Sequence, residues 1–61
     1  MNERFVSDKE AGELLGLSRQ TLANWRHLQK GPVYSKMGRS VRYRVSDLVR
    51  YAESRKIEVG D

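Results

Sequence analysis

Arg19, Gln20, Thr21 and Asn24 fall within six consecutive residues and carry side chains suited to reading the edge of a DNA base pair. Base edges in the major groove present fixed patterns of donors and acceptors. Arginine can fork onto guanine, and glutamine or asparagine onto adenine. Ser18 stands immediately before this group. Arg26 and Lys30 lie further along, where a cation more readily meets phosphate and so positions the protein without reading sequence. A second basic group follows at Lys36, Arg39, Arg42 and Arg44, with Ser40 among them. An arginine at the tip of a β-ribbon can enter a minor groove or lie along the backbone, and Arg39 is the tip candidate.

The charge distribution ties the two groups together. From Ser18 to Val45 the chain holds seven Lys or Arg and no Asp or Glu, whereas the other 33 residues hold five bases and all eight acids. One face kept basic in this way is a means of meeting a polyanion. The acidic remainder is expected to form the scaffold side, facing away from DNA.

Plainer readings stand beside these. Gln20 and Asn24 can simply solvate an exposed face. Basic residues also protect edge strands from aggregation, but four unbalanced bases within Lys36 to Arg44 exceed that need. Trp25 could stack on a base, yet its spacing with Leu22 and Leu28 places it in the core. Tyr43 also reads as core, Tyr34 and Tyr51 as half-exposed, and His27 as a surface residue. Ser7, Ser18 and Ser46 each precede a helix, so capping accounts for them.

The elements that must hold these side chains can be read from local signals. Ser7-Asp8-Lys9-Glu10 has the form of a capping box. Ala11, Leu14 and Leu15 follow at helical spacing, giving a first helix over about Asp8 to Leu15. Gly16 suits a left-handed helix end. Ser18 caps a second helix over about Arg19 to Gln29, with Leu22, Trp25 and Leu28 inward, ended by Gly31-Pro32. Gly12 stands where two short helices joined by a tight turn, the helix-turn-helix unit, commonly have alanine. It permits close approach at a cost of roughly 0.5–1 kcal/mol of helix stability.

The period then changes to two. Val41, Tyr43 and Val45 alternate with Arg42 and Arg44 as a half-buried strand, Val33 to Met37 is its weaker partner, and Gly38-Arg39-Ser40 is the hairpin loop. Ser46-Asp47 is expected to cap a third helix bearing Leu48, Tyr51 and Ala52 on one face. The first four residues and the last few are expected to be mobile. The predicted order is helix, tight turn, helix, hairpin, helix: mainly α with a β-hairpin, a winged helix-turn-helix. All 61 residues are expected to form one domain, with an ordered core of about 5–56.

Several function classes lack their parts. There is no Cys and one His, so neither disulfides nor a usual His/Cys metal site is expected, and no cofactor is implied. No Ser/His/Asp arrangement, buried carboxylate pair or glycine-rich phosphate loop appears, so catalysis is not expected. No apolar run approaches the ~18 residues of a membrane span.

The ordered motifs resemble a known family. They are Phe5-Val6-Ser7-x-x-Glu10-Ala11, then Leu14-Leu15-Gly16-Leu17-Ser18-x-x-Thr21-Leu22-x-x-Trp25-Arg26, then Gly31-Pro32. Lys36-Met37-Gly38-Arg39-Ser40-Val41-Arg42-Tyr43 and Ser46-Asp47-Leu48 complete the set. Together they resemble the small excisionase-like or AlpA-like winged helix-turn-helix proteins, which are similar to the DNA-binding head of the MerR superfamily.

The resemblance implies duplex DNA binding, with a recognition helix over Ser18 to Leu28 and a wing over Val33 to Val45. It implies a role as a recombination directionality factor or as a small transcriptional regulator, in a bacterial cytoplasm and in some cases phage-encoded. An integrase and side-by-side copies of the chain are the implied partners. MerR proteins proper add an effector domain and a long dimerising helix; the chain stops soon after its third helix begins, so no small-molecule effector is expected. A protein-interaction module is the alternative from another class.

Overall fold

The order of elements is β1 (Phe5–Ser7), α1 (Asp8–Leu15), α2 (Arg19–His27), β2 (Ser35–Met37), β3 (Ser40–Arg44) and α3 (Val45–Ser54). The computed structural model describes residues 4–60. The mobility expected of residues 1–3 and 61 lies outside the described residues. Residue 4 departs from that expectation, because its backbone carbonyl is tied into the fold.

Local signals build the helix-turn-helix. Ser7 Oγ accepts from the Glu10 amide at 3.2 Å, and Glu10 Oε1 accepts from the Ser7 amide at 3.3 Å, completing the capping box. Gly16 ends α1 at φ 71°, and the Leu17 amide donates back to the Gly12 carbonyl at 2.8 Å. This left-handed ending reverses the chain within two residues. Ser18 then starts α2, its Oγ accepting from the Thr21 amide at 3.0 Å. The two helices meet at Gly12, where an added Cβ would lie 2.5 Å from the Leu17 carbonyl oxygen. Glycine is thus required at this crossing, and the alanine common in such motifs does not fit.

The second helix is shorter than expected. It ends at His27, because Gln29 adopts φ 59° and the Lys30 amide donates to the Trp25 carbonyl at 2.8 Å. The turn comes before Gly31-Pro32, and Gly31 serves a different purpose. It packs on the indole, where a Cβ would lie 2.8 Å from Trp25 Cε3.

The hairpin belongs to a larger sheet. β3 is central, with β2 antiparallel on one side and β1 antiparallel on the other. β1 has three residues, too few for a periodic signal. Its partner lies far along the chain, with Val6 opposite Tyr43. The partner strand of the hairpin starts at Ser35, two residues later than expected, and Val33 is 67% exposed. The loop is Gly38-Arg39, with Ser40 already in β3. Gly38 has φ 63°, as a glycine-led two-residue hairpin turn requires. The third helix begins at Val45, so Ser46 lies within its first turn and is not the cap. The Val45 amide is met by the Arg4 carbonyl at 2.9 Å, which replaces a side-chain cap.

Five residues form the core: Val6, Ala11, Leu22, Tyr43 and Leu48. Each comes from a different element, and only β2 contributes none. Leu15, Leu17, Trp25, Val41 and Val45 pack around them. Leu14 and Leu28, expected on inner faces, are 61% and 62% exposed. Truncating Leu22, Tyr43 or Leu48 to alanine costs ~2–5 kcal/mol, against ~3–5 kcal/mol for the net stability of so small a core. Each of these three large side chains is therefore needed.

Candidate nucleic-acid interface

The exposed face of α2 is set by which residue the core takes. Leu22 is buried, and Ala23, Trp25 and Arg26 are half-buried. That leaves Arg19, Gln20, Asn24 and His27 on the open side. Gln20, Asn24 and His27 are spaced four and three apart, one stripe along the helix. His27, read from sequence only as a surface residue, thus extends the line of polar groups. Gln20 Nε2 donates to Asn24 Oδ1 at 3.0 Å. Whichever way the two amides are turned, the pair presents at least one donor and one acceptor outward, the pattern adenine requires. Ser18 and Thr21 share a hydroxyl–hydroxyl hydrogen bond of 2.8 Å while Ser18 caps the helix, so both are engaged at the leading turn.

Among the described residues, Arg19 and Arg26 of the acid-free block meet an acid from outside it. Asp8 begins α1, and its side chain is only 16% exposed. Its Oδ1 lies 3.1 Å from Arg19 Nε, and its Oδ2 lies 3.6 Å from Arg26 Nη2. Part of the acidic scaffold therefore reaches into the basic helix, and the expectation that it faces away does not hold for Asp8.

The two arginines differ sharply. The Arg19 side chain is 70% exposed and the Arg26 side chain 18%. Arg26 Nη1 also donates to the buried Tyr43 hydroxyl at 2.9 Å, and its guanidinium lies 5.8 Å from the Tyr34 ring centre. Arg26 binds α1, α2 and β3 together. A phosphate contact is what its place along the helix suggests; these partners give it a bracing role within the fold. Lys30 is exposed, with Nζ 5.8 Å from the centre of the Trp25 ring.

On the sheet, Lys36, Arg39 and Ser40 are exposed at the hairpin end. Arg42 and Arg44 alternate with the buried Tyr43 and share the other face of β3. Arg42 is half-buried between Ser7 and Ser35 on the flanking strands, its Nη1 donating to the Val41 carbonyl at 3.1 Å. Arg44 is exposed and lies 5.5 Å from the Phe5 ring centre. Among the described residues no cluster of His, Asp or Glu could hold a metal ion. None of their helices is long and apolar enough to cross a membrane.

A polar helix face on a tight two-helix turn, beside a basic β-hairpin, defines a winged helix-turn-helix DNA-binding protein. The helix-turn-helix domain family matches residues 5–56, and the chain belongs to that family. Membership supports binding of double-stranded DNA. No curated protein matches the chain.

Proposed function

We propose that the chain is an accessory DNA-binding protein of site-specific recombination, an excisionase that binds and bends attachment-site DNA and promotes integrase-mediated excision. The reading rests on one observation above others: a polar helix face and a basic hairpin stand side by side on one small head. The first is α2, with Ser18, Arg19, Gln20, Thr21 and Asn24 at its leading turns. The second is the hairpin, with Lys36, Arg39 and Ser40 at its tip and Arg42 and Arg44 along β3. Arg26 braces α2 from within. The resemblance of the ordered motif set to excisionase-like proteins supports the recombination role.

The head chemically transforms nothing; it works by binding and shaping DNA. A single α2 offers few base contacts, so useful affinity calls for several copies side by side on adjacent sites. Wing arginines favour bending by drawing the backbone or a narrowed minor groove toward the sheet.

The test is a gel-shift titration on attachment-site DNA together with excision in vitro by the cognate integrase. Excisionase activity gives stepwise multiple shifts and excision that depends on the chain. A single shift with no effect on excision overturns the recombination role in favour of transcriptional regulation. Weak binding that ignores salt overturns DNA binding as the working function and favours a protein partner.

A further inference from the structure

Asp8 is not a base-reading residue, yet it holds the first residue of the reading helix. We infer that Asp8 is a positioning residue for base readout: anchored by Arg26, its carboxylate holds Arg19 at Nε so that the two terminal Nη groups fork onto a guanine. This rests on α2 being the DNA-reading helix.

The structure supplies a relay with an inner, fixed end and an outer, open end. The buried Tyr43 hydroxyl accepts from Arg26 Nη1 at 2.9 Å. Arg26 Nη2 faces Asp8 Oδ2 at 3.6 Å. Asp8 Oδ1 faces Arg19 Nε at 3.1 Å. The inner members are 16% and 18% exposed at the side chain, and the last member is 70% exposed. Exposure therefore opens only at Arg19.

The chemistry of the outer end selects the base. A guanidinium can meet a base sideways through Nε and one Nη, or end-on through both Nη groups. With Nε held by Asp8, the end-on fork is left, and two parallel donors match O6 and N7 of guanine. An arginine loose in solvent gives up rotamer entropy when it docks. Held at Nε it gives up less, and on a wrong base its fork has no matching acceptors. Asp8 also stays compensated by Arg26 whichever way Arg19 turns, so no buried carboxylate is stranded. Its own negative charge opposes phosphate, which further separates base reading from backbone adhesion.

The test compares Asp8→Asn, Arg19→Ala and the double variant with the unaltered protein by fluorescence anisotropy. The probes are a duplex enriched by the protein from a random pool, its single-base-pair variants, and a scrambled duplex. The unaltered protein should show one G·C pair whose replacement weakens binding by about tenfold or more. Asp8→Asn should cut that penalty to about threefold or less, while binding of the scrambled duplex holds or rises as one negative charge is lost. Arg19→Ala should abolish the same penalty, and adding Asp8→Asn to it should change it no further.

Equal weakening of enriched and scrambled duplexes by Asp8→Asn marks a structural role and overturns the inference. So does a G·C penalty that survives Asp8→Asn, or one that ignores Arg19. Thermal melts establish that the variants fold. If Asp8→Asn does not, the Arg19 Nε–H resonance of the unaltered protein decides. Protection from solvent exchange, free and bound to the enriched duplex, supports the inference, and rapid exchange in both states overturns it. Enrichment of no duplex, with salt-insensitive binding, overturns the DNA-reading role of α2 itself. An enriched duplex lacking an Arg19-dependent guanine overturns the Asp8 inference alone.

Discussion

Replacing Gly12 by alanine tests the geometry that aims α2, the proposed reading helix. Helix propensity argues for a gain, since glycine inside a helix costs roughly 0.5–1 kcal/mol relative to alanine. The structure argues the opposite. The new Cβ would stand 2.5 Å from the Leu17 carbonyl oxygen. That oxygen is backbone and cannot rotate away, and the amide of the same residue is held to the Gly12 carbonyl at 2.8 Å. Relief requires the backbone of the turn to shift, and α2 begins two residues after Leu17, so the shift moves α2 relative to α1.

Overpacking of this kind costs about 1–3 kcal/mol. Set against the propensity gain, the expected net loss centres near ~1.3 kcal/mol within a span of about 0–2.5 kcal/mol, a sizeable share of the ~3–5 kcal/mol such a core supplies. Thermal unfolding followed by circular dichroism should show a Tm lower by about 5–15 °C. Because α2 would be re-aimed, binding to an enriched duplex should weaken more than binding to a scrambled one. A raised Tm would refute the close-packed crossing and, with it, the requirement for glycine.

Two further outcomes follow from the site. Gln20→Ala and Asn24→Ala should each cost ~1–3 kcal/mol in sequence-specific binding. Their effects should be strongly non-additive, because the two amides are bonded to each other at 3.0 Å; a double-mutant cycle that sums within error would show that they read independently. Arg39→Ala should weaken binding to all duplexes alike and flatten the log–log salt dependence by about one unit, and Arg42→Ala should do the same to a smaller extent. A sequence-selective loss would move that arginine from backbone to base contact. Of the two, Arg42 is the one already bonded to a carbonyl, Val41 O at 3.1 Å, so the smaller effect is expected there.

Much of the chain was legible from local chemistry, because caps and turns act across three or four residues. Ser7 with Glu10, Gly16 after the Leu14-Leu15 pair, Ser18 before α2 and the two-residue alternation through Tyr43 all became the structures their residue types demand. The basic block and the winged helix-turn-helix order followed from them. Contacts between distant segments were not legible, because no local pattern records them. β1 is a strand through its pairing with β3, and the first amide of α3, that of Val45, is met by the Arg4 carbonyl. Gly12 is required by an oxygen five residues away across the turn. Most consequential for function, Arg19 and Arg26 are the same residue type on the same helix, and only folding separates them. Asp8 and Tyr43 draw Arg26 inward at 18% exposure, while Arg19, sharing the same carboxylate, keeps its outer end in solvent.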